Sequence, residues 1–237
     1  MITKENILFI TLFFLWGHCY AENYHLTDNL CIQSEVKNDL LFVYNSDCKK
    51  NKYLLEKFQV PNDIPKINFI FHTRINNKKY VFLSVSYSEN YRDYNGEINY
   101  TDGYHLINVY ECDRKCIFNK EISNFFGSGG SLFNIKTNEI VYNFPYLDEM
   151  SIKNELSSKL FSHWFYEKDK AGEILKKTYM KYENNFSYNN IGYLVKGDKF
   201  TINDVSSRWL NISYISKNNK IITGWIRCED TNICNEY

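Results

Sequence analysis

The feature that most constrains the fold is an alternation of apolar and polar residues between Gly192 and Ile226. The alternating runs are short, and they are separated by turn-forming clusters such as Lys196-Gly197-Asp198 and Lys217-Asn218-Asn219-Lys220. A period of two places successive side chains on opposite faces of a strand. The segment therefore predicts several short antiparallel strands wrapped around a small shared core.

Three motifs follow one another within this segment. They are the run from Tyr193 to Phe200 (YLVKGDKF), the aromatic and apolar set Trp209, Ile212 and Tyr214, and the closing Gly224-Trp225-Ile226. In this order and spacing, the chain from Lys176 to Asp230 resembles the bacterial SH3-like domain. In that family an aromatic lead-in strand precedes the first loop, and the resemblance implies that Tyr179 and Tyr182 are its counterpart. The resemblance implies a small barrel, usually non-catalytic, that binds cell-wall peptide, glycan or another protein.

Strand alternation separates candidate core residues from candidate ligand residues. Leu210, Ile212 and Ile226 share one face and are predicted to point into the barrel. Trp209 and Trp225 then lie at least partly on the outer face, where aromatic rings can stack on sugars or cover an apolar patch. The alternative is that both Trp side chains pack in the core and at its rim. The candidate ligand-binding residues are Tyr193, Trp209 and Trp225.

The amino-terminal residues have the features of a signal peptide. Lys4 precedes an apolar run from Ile7 to Trp16, and small residues stand at Cys19 and Ala21, the positions that a signal peptidase reads. The apolar run is too short to span a bilayer comfortably. We therefore predict a signal peptide at 1–21, export to the periplasm or the exterior, and no transmembrane segment after cleavage.

Six cysteines remain after this cleavage: Cys31, Cys48, Cys112, Cys116, Cys228 and Cys234. An even number of cysteines behind an export signal predicts disulfides, although six cysteines allow fifteen connectivities. Proximity in the sequence favours joining each cysteine to its nearest neighbour. A zinc site would need paired short spacings such as Cys-x-x-Cys, which the sequence lacks. No metal or cofactor is predicted.

The predicted fold class is mainly β, with an N-terminal antiparallel β-rich domain followed by a small SH3-like β-barrel. Twenty tyrosines, seventeen phenylalanines and only three prolines favour sheet over helix. The expected division is a β-rich domain of unknown family at 22–172 and a barrel with a disulfide-stapled tail at 173–237. A hairpin around Asn76-Asn77 and a strand from Tyr104 to Cys112 belong to the first domain.

Three segments of the first domain permit more than one interpretation. Asn51 to Val60 has helical spacing and is predicted as a short helix. In Met150 to Tyr166 a helical stripe competes with a hairpin, and we predict a helix to about Ser158 and strands thereafter. The glycines from Gly127 to Gly130 lack the Lys-Ser/Thr ending of a phosphate loop. We interpret them as a place where backbone approaches neighbouring atoms closely, or as a bulge.

Composition and spacing exclude several classes of function. The chain carries 28 basic and 28 acidic residues, so a basic nucleic-acid face is not expected. His25, His72, His105 and His163 show no metal or catalytic spacing, and no nucleophile motif is present. We therefore predict a non-enzyme: an exported binding protein for a protein or peptidoglycan ligand of the envelope. The alternatives are a periplasmic immunity or inhibitor protein against a toxin or hydrolase, and a cell-wall hydrolase whose site the sequence does not reveal.

The exported protein is expected to contain no free thiol. Treatment with iodoacetamide before reduction should add no mass to it, whereas the same treatment after reduction should add six adducts. Intact-protein mass spectrometry measures both. Two or more alkylated cysteines in the unreduced protein would contradict the disulfide framework.

Overall fold

The structure is a computed structural model that describes residues 21–61, 63–88, 98–113, 115–167, 170–186 and 190–234. Within these residues, strands far outnumber helices and form four antiparallel sheets. This confirms the predicted class of a mainly β, antiparallel chain. Residues 1–20 of the predicted signal peptide lie outside the described part, and the first strand begins at Ala21.

The front sheet is a four-stranded meander. Its strands are β1 (Ala21–Thr27), β2 (Leu30–Lys37), β3 (Leu40–Ser46) and β4 (Lys52–Phe58), each paired with the next. The helix predicted from Asn51 to Val60 is wrong. This segment pairs with β3 along the length of β4, and such tertiary pairing outweighs a weak local preference for helix.

The central sheet contains the longest strands. Strands β5 (Lys66–Ile75) and β6 (Lys78–Tyr87) form the predicted hairpin, with Asn76 and Asn77 both at positive φ. The other strands of this half are β7 (Ile98–Tyr100), β8 (Tyr104–Cys112), β9 (Cys116–Phe118), β10 (Ser128–Gly129), β11 (Leu132–Asn134) and β12 (Glu139–Tyr142). Strands β5, β6, β8, β9 and β10 make the central sheet, and β7, β11 and β12 make a small sheet beside it.

Three short helices are α1 (Lys120–Phe126), α2 (Glu149–Leu156) and α3 (Lys159–Tyr166). The predicted helix up to about Ser158 is confirmed, but the strands predicted after it are wrong. The Ser158 hydroxyl accepts the backbone N–H of Phe161 at 3.0 Å and so begins α3. In the described part of the chain, no helix is long and apolar enough to cross a membrane.

The rear sheet contains the strands predicted from the alternating segment. Its strands are β13 (Ala171–Glu173), β14 (Thr178–Lys181), β15 (Asn190–Leu194), β16 (Lys199–Ser206), β17 (Trp209–Ile215) and β18 (Ile221–Arg227). Their order is β13-β16-β17-β18-β14-β15. Gly197 has φ 91° in the predicted turn before β16. Pairing among the described strands leaves this sheet open rather than closed, so the SH3-like barrel stays a prediction.

Strand β6 is buried on both faces and separates two hydrophobic cores. Val81, Leu83 and Val85 point into the front core, which they share with residues of the front sheet such as Ile32 and Val43. The intervening side chains point the other way. Burial on both faces is unusual in antiparallel sheets, which commonly leave one face to water. Here both faces are covered, so the front sheet and the rear half of the chain pack on opposite sides of one strand.

The rear core lies on the opposite side of β6 from the front core. Phe82 of β6 packs there with Phe125 of α1 and Trp164 of α3, and the same cluster includes Phe200 and Ile226 of the rear sheet. Residues from both sides of the predicted boundary at 172/173 thus share one core. The division into two domains stays a prediction.

The three disulfides join the pairs that proximity in the sequence favours. They connect Cys31 to Cys48, Cys112 to Cys116, and Cys228 to Cys234. The first fastens β2 to the turn after β3, and the second closes the turn between β8 and β9. The third ties the tail to a short 3-10 helix, Cys228–Asp230, that follows the rear sheet.

An ion pair links the helices to the rear sheet. Glu155 of α2, with its side chain only 2% exposed, accepts a hydrogen bond from Arg208 at 2.7 Å. The Ser158 hydroxyl donates to the other carboxylate oxygen at 2.7 Å. Burial and the nearby Glu155 raise the pKa of the Tyr146 phenol well above its usual range. Arg208 therefore supplies the counter-charge for a carboxylate that water hardly reaches.

Replacing Arg208 by Met should lower the free energy of unfolding by about 3 kcal/mol, because the Glu155 carboxylate would stay buried without its counter-charge. Urea unfolding at neutral pH measures the loss. The matched control is Lys78→Met, which removes an exposed partner of Glu111 and should change stability little. An equal loss of unfolding free energy in the two variants would show that the buried Glu155–Arg208 pair stabilises the fold no more than an exposed pair does.

Candidate functional site

A cleft of about 480 Å³ opens between the glycine-rich segment after α1 and the rear sheet. This volume lies within the usual range of small-molecule sites. The aromatic residues that line it are Tyr100, Tyr104, Tyr142, Phe186, Trp209 and Trp225. The lining residues with amide, hydroxyl or carboxylate side chains are Asn124, Ser128, Asn184, Asn185, Asp204, Ser206 and Ser207.

Glycines form one wall of this cleft because no side chain fits there. Gly127 has φ 66°, and a Cβ added to it would lie 2.5 Å from the hydroxyls of Ser206 and Ser207. A Cβ on Gly130 would lie 2.5 Å from the ring of Tyr100. The interpretation of this segment as close backbone approach is therefore confirmed.

The wall is fixed to the rear sheet through the turn between β16 and β17. The backbone N–H of Ser207 donates to the carbonyl of Phe125 at 3.0 Å, and its hydroxyl donates to the carbonyl of Phe126 at 2.9 Å. The Tyr142 hydroxyl donates to the carbonyl of Ser207 at 3.2 Å. Burial raises the pKa of Tyr142 to about 12, so its phenol keeps the proton that it donates. These bonds set the distance between the two sides of the cleft.

Four half-buried rings line the cleft: Tyr100 of β7, Tyr104 of β8, Phe186, and Trp225 of the rear sheet. The rings of Tyr100 and Tyr104 meet edge to face with centroids 5.7 Å apart. The hydroxyls of Tyr104 and Ser128 lie 2.8 Å apart and share a hydrogen bond. These contacts hold the rings of Tyr100 and Tyr104 in place.

Trp209 does not have the outward exposure that strand alternation predicts, and that prediction is wrong. The residue is only 2% exposed although it alternates with Leu210 as expected. Its outer side is covered by Phe186, with ring centroids 5.3 Å apart, and by the guanidinium of Arg227 at 5.4 Å. Both faces of the sheet are covered at this point, so alternation alone could not separate core from surface.

The structure separates the three predicted ligand residues. Trp209 and Trp225 both line the cleft, whereas Tyr193 does not. Tyr193 is 60% exposed and is paired across strands with Tyr179, with the Lys177 ammonium 4.6 Å from its ring. Whether any of the three binds a ligand stays a prediction.

Sequence reasoning missed the aromatic residues of the cleft that precede the rear sheet. Tyr100 and Tyr104 flank a loop whose Asp102-Gly103 pair indicates only a turn, and Tyr142 stands in an ordinary hairpin strand. The one sequence signal that pointed here was the glycine cluster, since crowded backbone implies that two parts of the chain meet. Which aromatic residues converge there depends on long-range pairing.

The Trp209→Ala variant should be strongly destabilised, by about 3–5 kcal/mol, because it leaves a cavity beneath Phe186. The Trp225→Ala variant should lose less, since that side chain is only half-buried. Chemical unfolding of the two variants beside the parent protein measures both. Equal stability of Trp209→Ala and the parent would contradict the packing described above.

In comparisons with known proteins, no family model matches this chain, and neither a curated protein nor a solved structure matches it.

Proposed function

We propose that this protein is an exported, non-catalytic binding protein that holds a hydroxyl-rich ligand, a glycan of the cell wall, in the cleft. The observation that carries the proposal is the lining itself, where half-buried rings stand among amide and hydroxyl side chains. The predicted signal peptide and the three disulfides support a site outside the cytoplasm. The resemblance to SH3-like domains supports binding rather than catalysis.

Each kind of lining residue has a part in such binding. Aromatic faces cover the apolar C–H side of a sugar ring, while their edges stay in contact with water. Amide groups such as Asn184 and Asn124 can both donate to and accept from hydroxyls. Because a sugar ring has one apolar side and a hydroxyl-bearing rim, the mixed lining fits it better than it fits a purely apolar molecule.

The charges at the cleft favour binding over hydrolysis. Asp204 is the one carboxylate among the described lining residues, and one of its oxygens accepts the N–H of Val205 at 2.8 Å. Cleavage of a glycosidic bond commonly requires two carboxylates flanking the bond. The described lining provides one, which supports a non-catalytic role.

A second candidate function is an immunity or inhibitor protein, and one surface favours it. Tyr53 and Leu54 of β4 are exposed, as are Ile117 and Phe118 of β9. The Lys115 ammonium lies 4.6 Å from the Tyr53 ring, so these two edges are neighbours. An exposed apolar patch of this kind supports contact with a protein partner.

The Trp225→Ala variant should bind soluble wall oligosaccharides about tenfold more weakly than the parent, the loss expected for one stacked ring, roughly 1.4 kcal/mol. Isothermal titration calorimetry with oligosaccharides released by a muramidase measures the affinity. The matched control is Tyr193→Ala, which removes an exposed ring outside the cleft and should bind like the parent.

Two outcomes would overturn the glycan proposal. The first is that the parent binds no oligosaccharide. The second is that Tyr193→Ala loses affinity while Trp225→Ala keeps it, which would place the site on the outer face of β15.

The second candidate function has its own test. It is correct if the parent retains a hydrolase from an envelope extract and if replacing Leu54 and Ile117 by charged residues abolishes this binding.

A further inference from the structure

A histidine lies against the first disulfide. His25 on β1 is the cross-strand partner of Cys31 on β2. Its Nδ1 lies 3.1 Å from the Cys31 Sγ, and Nδ1 and the sulfurs of Cys31 and Cys48 all lie within 4.8 Å of one another. A disulfide sulfur carries no hydrogen, so the imidazole Nδ1–H must be the donor in this contact.

We propose that reduction of the Cys31–Cys48 disulfide creates a metal site, in which the two thiolates and the His25 imidazole bind Zn²⁺ or an ion of similar softness. Thiolate sulfur and imidazole nitrogen are the donors that zinc prefers. While the disulfide is closed, neither sulfur is a thiolate and the site does not exist. The sequence could not indicate this group, because cross-strand pairing rather than short spacing assembles it.

The observed spacing suits a tetrahedral ion. Zinc binds thiolate sulfur at about 2.3 Å and imidazole nitrogen at about 2.0–2.1 Å, so its donors lie roughly 3.5–3.8 Å apart. The contact between His25 and Cys31 is already close to that spacing, at 3.1 Å. Once the S–S bond opens, the Nδ1 proton is lost to solvent as the imidazole takes its Nε2–H tautomer, which frees the Nδ1 lone pair for the ion, and small movements of Cys48 complete the set. Among the residues that the structure describes, no fourth cysteine, histidine or carboxylate joins the group, so water takes the fourth position.

The reduction is an exchange with an external dithiol. A thiolate of the dithiol attacks the half-buried Cys48 Sγ, since Cys31 is only 1% exposed. The S–S bond breaks and its electron pair leaves on the Cys31 Sγ, beside the His25 Nδ1–H that stabilises the new thiolate. The second thiolate of the reductant then attacks the reductant's own sulfur in the mixed disulfide and releases Cys48. Two electrons pass to the protein, and the dithiol leaves as a disulfide.

The turn that carries Cys48 is held by more than the disulfide. The φ of Cys48 is 61°, in the left-handed region that residues with a Cβ rarely adopt. The turn is fixed independently by Asp47, whose carboxylate accepts the N–H groups of Lys49, Lys50 and Asn51 at 3.0, 3.0 and 3.1 Å. Because this turn has its own hydrogen bonds, it can hold Cys48 near His25 after the disulfide has opened.

The test uses the full exported chain treated with increasing concentrations of a phosphine reductant and then freed of it without oxygen. Alkylation and peptide mapping show which disulfide opens, and a chromophoric chelator that competes for zinc measures binding. The expected result is one equivalent of zinc, bound with protection of Cys31 and Cys48 from alkylation. His25→Ala should weaken binding at least tenfold, whereas His72→Ala, which changes an exposed histidine of β5, should not.

The Cys31→Ser/Cys48→Ser variant separates this site from adventitious binding, since it keeps the other four cysteines. It should bind no zinc of comparable affinity after the same treatment. The proposal is overturned if reduced parent protein takes up no zinc. It is equally overturned if His25→Ala, or the double serine variant, binds zinc as tightly as the parent. Zinc binding by a chain that reduction has unfolded would give this same result, because such binding does not need His25 or the Cys31–Cys48 pair.

Discussion

The architecture depends on burial of both faces of β6. A strand of this kind commits its alternate side chains to two different cores, so neither the front sheet nor the rear half can be removed without exposing large apolar groups. Phe82 illustrates the constraint. It is completely buried, stacks on Phe71 and meets Phe126 edge to face, while its neighbours in the chain, Val81 and Leu83, face the front sheet. The hydrophobic effect at this one strand therefore joins most of the structure.

Packing the layers in this way buries some polar groups, and each of these needs a hydrogen-bonding or charged partner. Glu155 becomes buried where α2 meets the turn after β16, and its carboxylate is tolerated because Arg208 and Ser158 bond to it. The same turn meets α1 through Ser207. Glycine is needed where the backbones approach each other most closely, and the cleft is the space left beside that contact. The candidate site is thus a consequence of how the layers meet.

Much of the strand structure could be predicted from the sequence, because alternation and turn residues are local properties. Asn76-Asn77 and Gly197 adopt the positive φ values that their turns require, and the strands around them were predicted correctly. The errors occurred where strand pairing and tertiary packing decide the outcome. Pairing with β3 made a strand of β4, and Phe186 covered the face of Trp209 that alternation had assigned to solvent. The cleft combines residues from Tyr100 to Trp225, and no local pattern encodes that convergence.

The hydrogen bonds of Ser207 to the end of α1 also have a kinetic consequence. They join residues about eighty positions apart, and a fold that depends on such long-range contacts forms slowly because closing the long loop between them costs entropy. A molecule in which the front layers alone have folded has no cleft, and neither has one in which the rear sheet alone has folded. The cleft, and with it the proposed binding, therefore requires that both parts of the chain are folded and joined.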